Sequence, residues 1–114
     1  MSTVTLRVSD LSAAMQDFKH AWTSGSKESE AITFASWELM HKILSPKRLD
    51  IIRSLCGQES MSIRELSRRV GRDFKGVHTD VVSLINAGLV DQHDGKISFP
   101  YDRIHVEFDI EAAA

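Results

Sequence analysis

Between residues 45 and 79 the chain carries eight basic and four acidic side chains, against four and five in residues 1–44 and two and seven in residues 80–114. A total charge of −2 therefore conceals one basic stretch, made of Lys47, Arg48, Arg53, Arg64, Arg68, Arg69, Arg72 and Lys75. Such a cluster suits phosphate contact, and it equally suits a solvated helix surface. The residues that continue it narrow the choice. Lys75, Gly76, His78 and Thr79 combine a long cation, an absent side chain, an imidazole and a hydroxyl, groups able to approach or bond base edges in a DNA groove. His78 read alone is as well explained as a surface histidine, and Gly76 reads as a residue kept small for close approach to DNA.

Other reactive side chains are dispersed. Cys56 is the single cysteine, so no internal disulfide forms, and its place on an apolar helical stripe marks a structural thiol. His20, His41, His78, His93 and His105 are scattered, with no second cysteine and no carboxylate at zinc-ligand spacing. No phosphate-cradling glycine loop and no Gly-x-Ser-x-Gly occur. The expectation is a protein that is not an enzyme and takes no metal and no cofactor. No apolar run nears the roughly 18 residues of a membrane helix, so no membrane partner is expected. The lone thiol and the lack of a signal-peptide pattern at Met1–Val4 predict a cytoplasmic setting.

The elements that must position the basic stretch are legible from local patterns. Ser62-Ile63-Arg64-Glu65 is a capping box, in which serine and glutamate each satisfy a backbone N–H at a helix start. It opens a short helix from Ile63 to about Val70, with Ile63, Leu66 and Val70 on the apolar side. Gly71-Arg72-Asp73 supplies the turn, and Asp73 the cap, for a second helix at about 74–87 with Val77, Val81, Leu84 and Ile85 as its stripe. Leu89–Gln92 and Lys96–Phe99 then flank His93-Asp94-Gly95, a hairpin signal. Upstream, Ser45-Pro46 starts a helix carrying Leu49, Ile52, Leu55 and Cys56, and Ser36 caps another with Trp37, Met40, Ile43 and Leu44. The order predicts a winged helix-turn-helix from about Ser45 to Phe99, with the second helix of the pair as the reader of DNA.

The flanks predict additions to that core. Val4, Leu6 and Val8 alternate as a strand, Leu11, Ala14, Met15, Phe18 and Trp22 form one helical stripe, and Ala31–Ala35 reads as a short strand. At the other end Ile104, Val106, Phe108 and Ile110 alternate with polar residues, a half-buried strand that needs a partner. Its predicted partner is Val4–Val8, in one chain or across a two-fold axis, with the first helix packed over the resulting sheet. The fold class expected is α+β, a winged helix-turn-helix with an N-terminal strand-helix and a long C-terminal strand. Residues 1–44 are an extension for packing or dimerisation, 45–99 the DNA-binding core and 100–114 the C-terminal strand, all in one compact domain.

Met61-Ser62-Ile63-Arg64-Glu65-Leu66, Val70-Gly71-Arg72-Asp73 and Leu84-Ile85-Asn86-Ala87-Gly88-Leu89-Val90 together resemble winged-helix regulators of the MarR-like kind. The whole chain looks like a group of small prokaryotic DNA-binding proteins, members of which are found as antitoxins beside a small toxin. It departs from typical MarR proteins in lacking their long terminal dimerisation helices. The resemblance implies a transcriptional regulator, expected here as a homodimeric repressor on double-stranded DNA. Lys75, Gly76, His78 and Thr79 are the expected base-reading positions, and Arg64, Arg68, Arg69, Arg72, Lys47 and Lys96 the expected phosphate contacts. The alternative is an antitoxin that neutralises a partner toxin through its acidic terminal regions and uses DNA binding to autoregulate.

Overall fold

The computed structural model describes residues 2–8, 29–110 and 112. The predicted helix with Leu11, Ala14, Met15, Phe18 and Trp22 lies outside the described residues. In chain order the elements are β1 (Thr3–Val8), β2 (Ser29–Phe34), α1 (Trp37–Ile43), α2 (Pro46–Leu55), α3 (Ile63–Val70), α4 (Phe74–Asn86), β3 (Asp91–His93), β4 (Lys96–Ser98) and β5 (Arg103–Glu107). The fold is α+β. Among the described residues no helix is long and apolar enough to cross a membrane.

The chain divides into two compact units, residues 1–40 with 103–114 and residues 41–102. The sequence had predicted one compact domain cut at 44/45 and 99/100; instead the two chain ends gather into one unit, and the boundary falls inside α1.

In the first unit β1 is the central strand of a sheet ordered β2-β1-β5, parallel on both sides. The alternation of β1 explains this place: Val4 and Leu6 are wholly buried, while Thr3, Thr5 and Arg7 face the other way. The pairing of β1 with the C-terminal strand is within one chain, Val4 beside Ile104 and Leu6 beside Val106. The expectation of a half-buried C-terminal stripe needs correcting. Strand pairing ends at Glu107, and Val106, Phe108 and Ile110 are 41%, 42% and 89% exposed. Trp37 at the start of α1 meets Phe108 with ring centroids 4.4 Å apart, and Ser36 caps α1 by accepting from the Leu39 N–H.

The second unit has its own core, drawn from Ile51, Ile52 and Leu55 of α2, Leu66 of α3, Val77, Val81 and Leu84 of α4, and Leu89, Val90, Ile97 and Phe99 beyond. α2 packs on both α3 and α4, which pack on each other. Ser45 caps α2 and Pro46 follows at its first position, where a missing N–H costs nothing. Ile51 was not on the predicted stripe, and Cys56 sits just past the helix end, half-buried, with its Sγ 3.6 Å from the Asp102 carbonyl. The β3–β4 hairpin turns through Asp94 and Gly95, both at positive φ (52° and 75°), as a two-residue turn between twisted strands requires. Met61, two residues before α3, bridges Ile97 by reciprocal bonds of 3.0 and 2.8 Å, adding a third backbone to the hairpin.

Candidate nucleic-acid interface

α3 and α4 are joined by Gly71-Arg72-Asp73, and each residue of that turn has a task. Gly71 takes the left-handed conformation at φ 69° that ends α3, and the Arg72 N–H returns to the Ser67 carbonyl at 3.1 Å. Asp73 caps α4 by accepting from the Gly76 N–H at 3.0 Å. At the start of α3 the Ser62 hydroxyl accepts from the Glu65 N–H at 3.1 Å. Glu65 does not close the expected capping box. Its carboxylate turns instead to Arg68 and to Arg69 Nε, the latter at 3.1 Å.

These contacts set the charge state of the outer face of α3. The hydrogen bond from Arg69, and after it the charge of Arg68, hold the Glu65 carboxyl below the usual carboxylate range. Two of the three α3 arginines are thus tethered near one carboxylate while remaining exposed, Arg68 at 78% and Arg69 at 44%. Arg64 is exposed as well, but its guanidinium stacks 4.9 Å from the centre of the Phe74 ring. Arg64, Ser67, Arg68 and Phe74 line an open depression of about 320 Å³.

On α4, Lys75, His78 and Thr79 are exposed and lie on its first two turns. The Thr79 hydroxyl donates to the Lys75 carbonyl at 3.1 Å, which leaves its oxygen free only to accept. Phe74, the first residue of the helix, is 41% exposed and its ring lies 5.8 Å from that of His78. Sequence reasoning missed Phe74, because a phenylalanine at a helix start reads as core. Its spacing of three from Val77 continues the stripe of Val77, Val81 and Leu84, so nothing in the pattern set it apart from the core.

Two of the expected positions also serve the fold. Arg72 was grouped with the phosphate contacts, yet its Nη2 pairs with Asp80 Oδ2 at 2.9 Å, its side chain is 23% exposed, and its Nη1 is buried with no hydrogen-bond partner among the described residues. The same Asp80 takes Arg48 Nε at 3.1 Å, and Arg48 reaches on to Ser83 Oγ at 3.2 Å and the Lys42 carbonyl at 2.8 Å. One carboxylate therefore ties α2, the turn and α4 together. Gly76 was expected to be small for the sake of DNA. A Cβ there would lie 3.1 Å from Asp73 Oδ1 and 3.2 Å from Arg72 Nη2, so the glycine also leaves room for the helix cap and the inward arginine.

The remaining candidates lie apart from the α3–α4 pair in sequence. Lys47 is exposed on the first turn of α2, and Lys96 is exposed at the base of the hairpin turn beside His93 and Asp94, which pair at 3.3 Å. Among the described residues no three His, Cys, Asp or Glu side chains gather as a metal-ligand set.

The family model HVO_A0114 matches residues 43–106, more than half of the chain, and the protein belongs to that family. No curated protein matches the chain, and no solved structure does.

Proposed function

We propose that this HVO_A0114 family member is a sequence-specific transcriptional regulator of MarR-like kind, a winged helix-turn-helix protein that binds double-stranded DNA as a homodimeric repressor. The observation that carries the reading is the coincidence of exposed Lys75, His78 and Thr79 on the first two turns of α4 with exposed Arg64, Arg68 and Arg69 on α3. In this reading α4 enters the major groove by its N-terminal end while α3 crosses the phosphate backbone. The β3–β4 hairpin is the wing, bringing Lys96 beside the groove, and Lys47 adds a phosphate contact from α2.

In this reading each role follows from what the side chain can donate or accept. Lys75 donates to guanine O6 or N7, and Thr79, its hydroxyl hydrogen already bonded to the Lys75 carbonyl, accepts from an adenine or cytosine amine. Phe74 meets a thymine methyl. Arg68 and Arg69 hold phosphates and Arg64 does so from its stack on Phe74. Arg72 and Arg48 act through Asp80, fixing how α4 is presented.

The test is selection of duplexes from a random pool by the native protein, followed by mobility-shift titration of the winner. An enriched motif is expected, and replacing its thymines with uracil, which lacks the methyl, should weaken wild-type binding but leave Phe74→Ala unaffected. Recovery of no motif, with equal retardation of random DNA, would contradict the assignment.

A further inference from the structure

The exposed edge of the first unit's sheet has the pattern of a self-complementary surface. β5 closes the order β2-β1-β5, and no strand lies on its outer side among the described residues. The Arg103 N–H donates to the Ser2 carbonyl at 3.2 Å, so Arg103, His105 and Glu107 turn their backbone groups toward β1. Because direction alternates along a strand, Ile104 and Val106 turn their N–H and C=O groups outward. An unpaired edge of this kind is a template for another strand.

We propose that β5 pairs antiparallel with β5 of a second copy of this chain, about a two-fold axis through His105. This deepens the homodimer of the function proposed above and rests on it. In that register Ile104 stands opposite Val106 of the second copy, and the two symmetric pairs exchange about four backbone hydrogen bonds through the groups that face outward. Arg103 then stands opposite Glu107 of the second copy. Opposite charges meet twice across the axis, where like charges would oppose pairing.

Each charge is suited to the contact. Arg103 is exposed and has no ion pair among the described residues. Glu107 is held ready by Arg7 at 2.7 Å and lies 3.4 Å from His105 Nε2. On the opposite face the 41% exposed Val106 gains Ile104 of the second copy as a neighbour, and one continuous sheet runs β2-β1-β5-β5-β1-β2. The interface is isologous, so it closes at two copies and leaves β2 at both edges.

His105 lies at a non-hydrogen-bonded pair of that register, where facing Cα atoms are about 4.5 Å apart, within the range a disulfide spans. The experiment is mild oxidation of the full chain, free of DNA, in a Cys56→Ser background that carries His105→Cys. A covalent dimer is expected from His105→Cys, none from Arg103→Cys or Glu107→Cys alone, and a covalent dimer from those two variants mixed. Val106→Pro, which removes an outward N–H at a place where an edge strand tolerates proline, should sediment as a monomer at concentrations where the parent is a dimer. A parent that sediments as a monomer, or a dimer that cross-links at Val106→Cys and not at His105→Cys, would overturn the proposal. Because these readouts use no DNA, their failure leaves DNA binding standing, and a failed mobility shift leaves the cross-link standing.

Discussion

A long cationic side chain can serve a phosphate or the fold, and Arg69 and Arg72 divide along that line. Arg69 is exposed and near a single carboxylate, whereas Arg72 is turned onto Asp80 with one nitrogen buried. Arg69→Ala should weaken binding to every duplex and reduce the slope of log affinity against log salt by about 0.9. Arg72→Ala should instead lower the unfolding midpoint, which thermal melts and salt titrations of the two variants would separate. Thr79→Ala should change which sequence is preferred, and equal losses on selected and random DNA would contradict its role. Under the proposed function Glu65, which occupies Arg68 and Arg69, would compete with phosphate for them. Glu65→Gln is expected to raise affinity for all sequences, including random ones, in the same titration. Its lowered pKa gives the sign of a pH effect. The stabilisation from these pairs is complete above the ordinary carboxylate range and is lost as pH falls through the lowered value, so Glu65→Gln should flatten the acid limb of the stability profile. Exposure, which decides among these arginines, follows from partners distant in the chain. Asp80 lies 32 residues from Arg48, and no helical period reports such a pair.

Elements whose signals are local were legible. Ser45, Ser62 and Asp73 each cap the helix expected of them, Gly71 ends α3 with a positive φ, and Asp94-Gly95 makes the hairpin turn. Of the predicted stripe Val77, Val81 and Leu84 are wholly buried and Ile85 is half-buried. The pairing of β1 with the C-terminal strand was legible too; what the pattern did not show is that β2 lies on the other side of β1, that both pairings are parallel, and that Met61 pairs with Ile97. Strand alternation tells which face is buried but not which strand lies beside it. The junction of α2, turn and α4 is the element-scale feature that sequence missed, and it is testable. Asp80→Asn leaves two guanidiniums partly buried, 16% and 23% exposed, without their anion. A loss of about 3 kcal/mol in unfolding free energy is expected from urea titration. An effect within 0.5 kcal/mol, the usual range for surface changes, would mean that Asp80 does not hold α4 in place.

For the whole molecule, a net charge of −2 looks unfavourable for a DNA-binding protein, but it divides unevenly between the two units. Residues 41–102 carry ten basic and eight acidic side chains, a surplus of +2, while residues 1–40 with 103–114 carry four and eight, a deficit of −4. Under the proposed function an acidic unit would limit indiscriminate adhesion to nucleic acid, so discrimination should rest on the groove contacts proposed for α4. A two-fold homodimer joined at β5 should prefer inverted repeats, and a single half-site should bind Val106→Pro and the parent alike, while only the parent gains from the second half-site. The central claim, that the α3–α4 face reads duplex DNA, is tested most directly by the affinity of the native protein for its selected duplex and for a scrambled one as salt is raised. The expected result is linear weakening of both with salt and a preference for the selected duplex of about 10³ or more. Equal affinity for the two duplexes, or binding indifferent to salt, would contradict it.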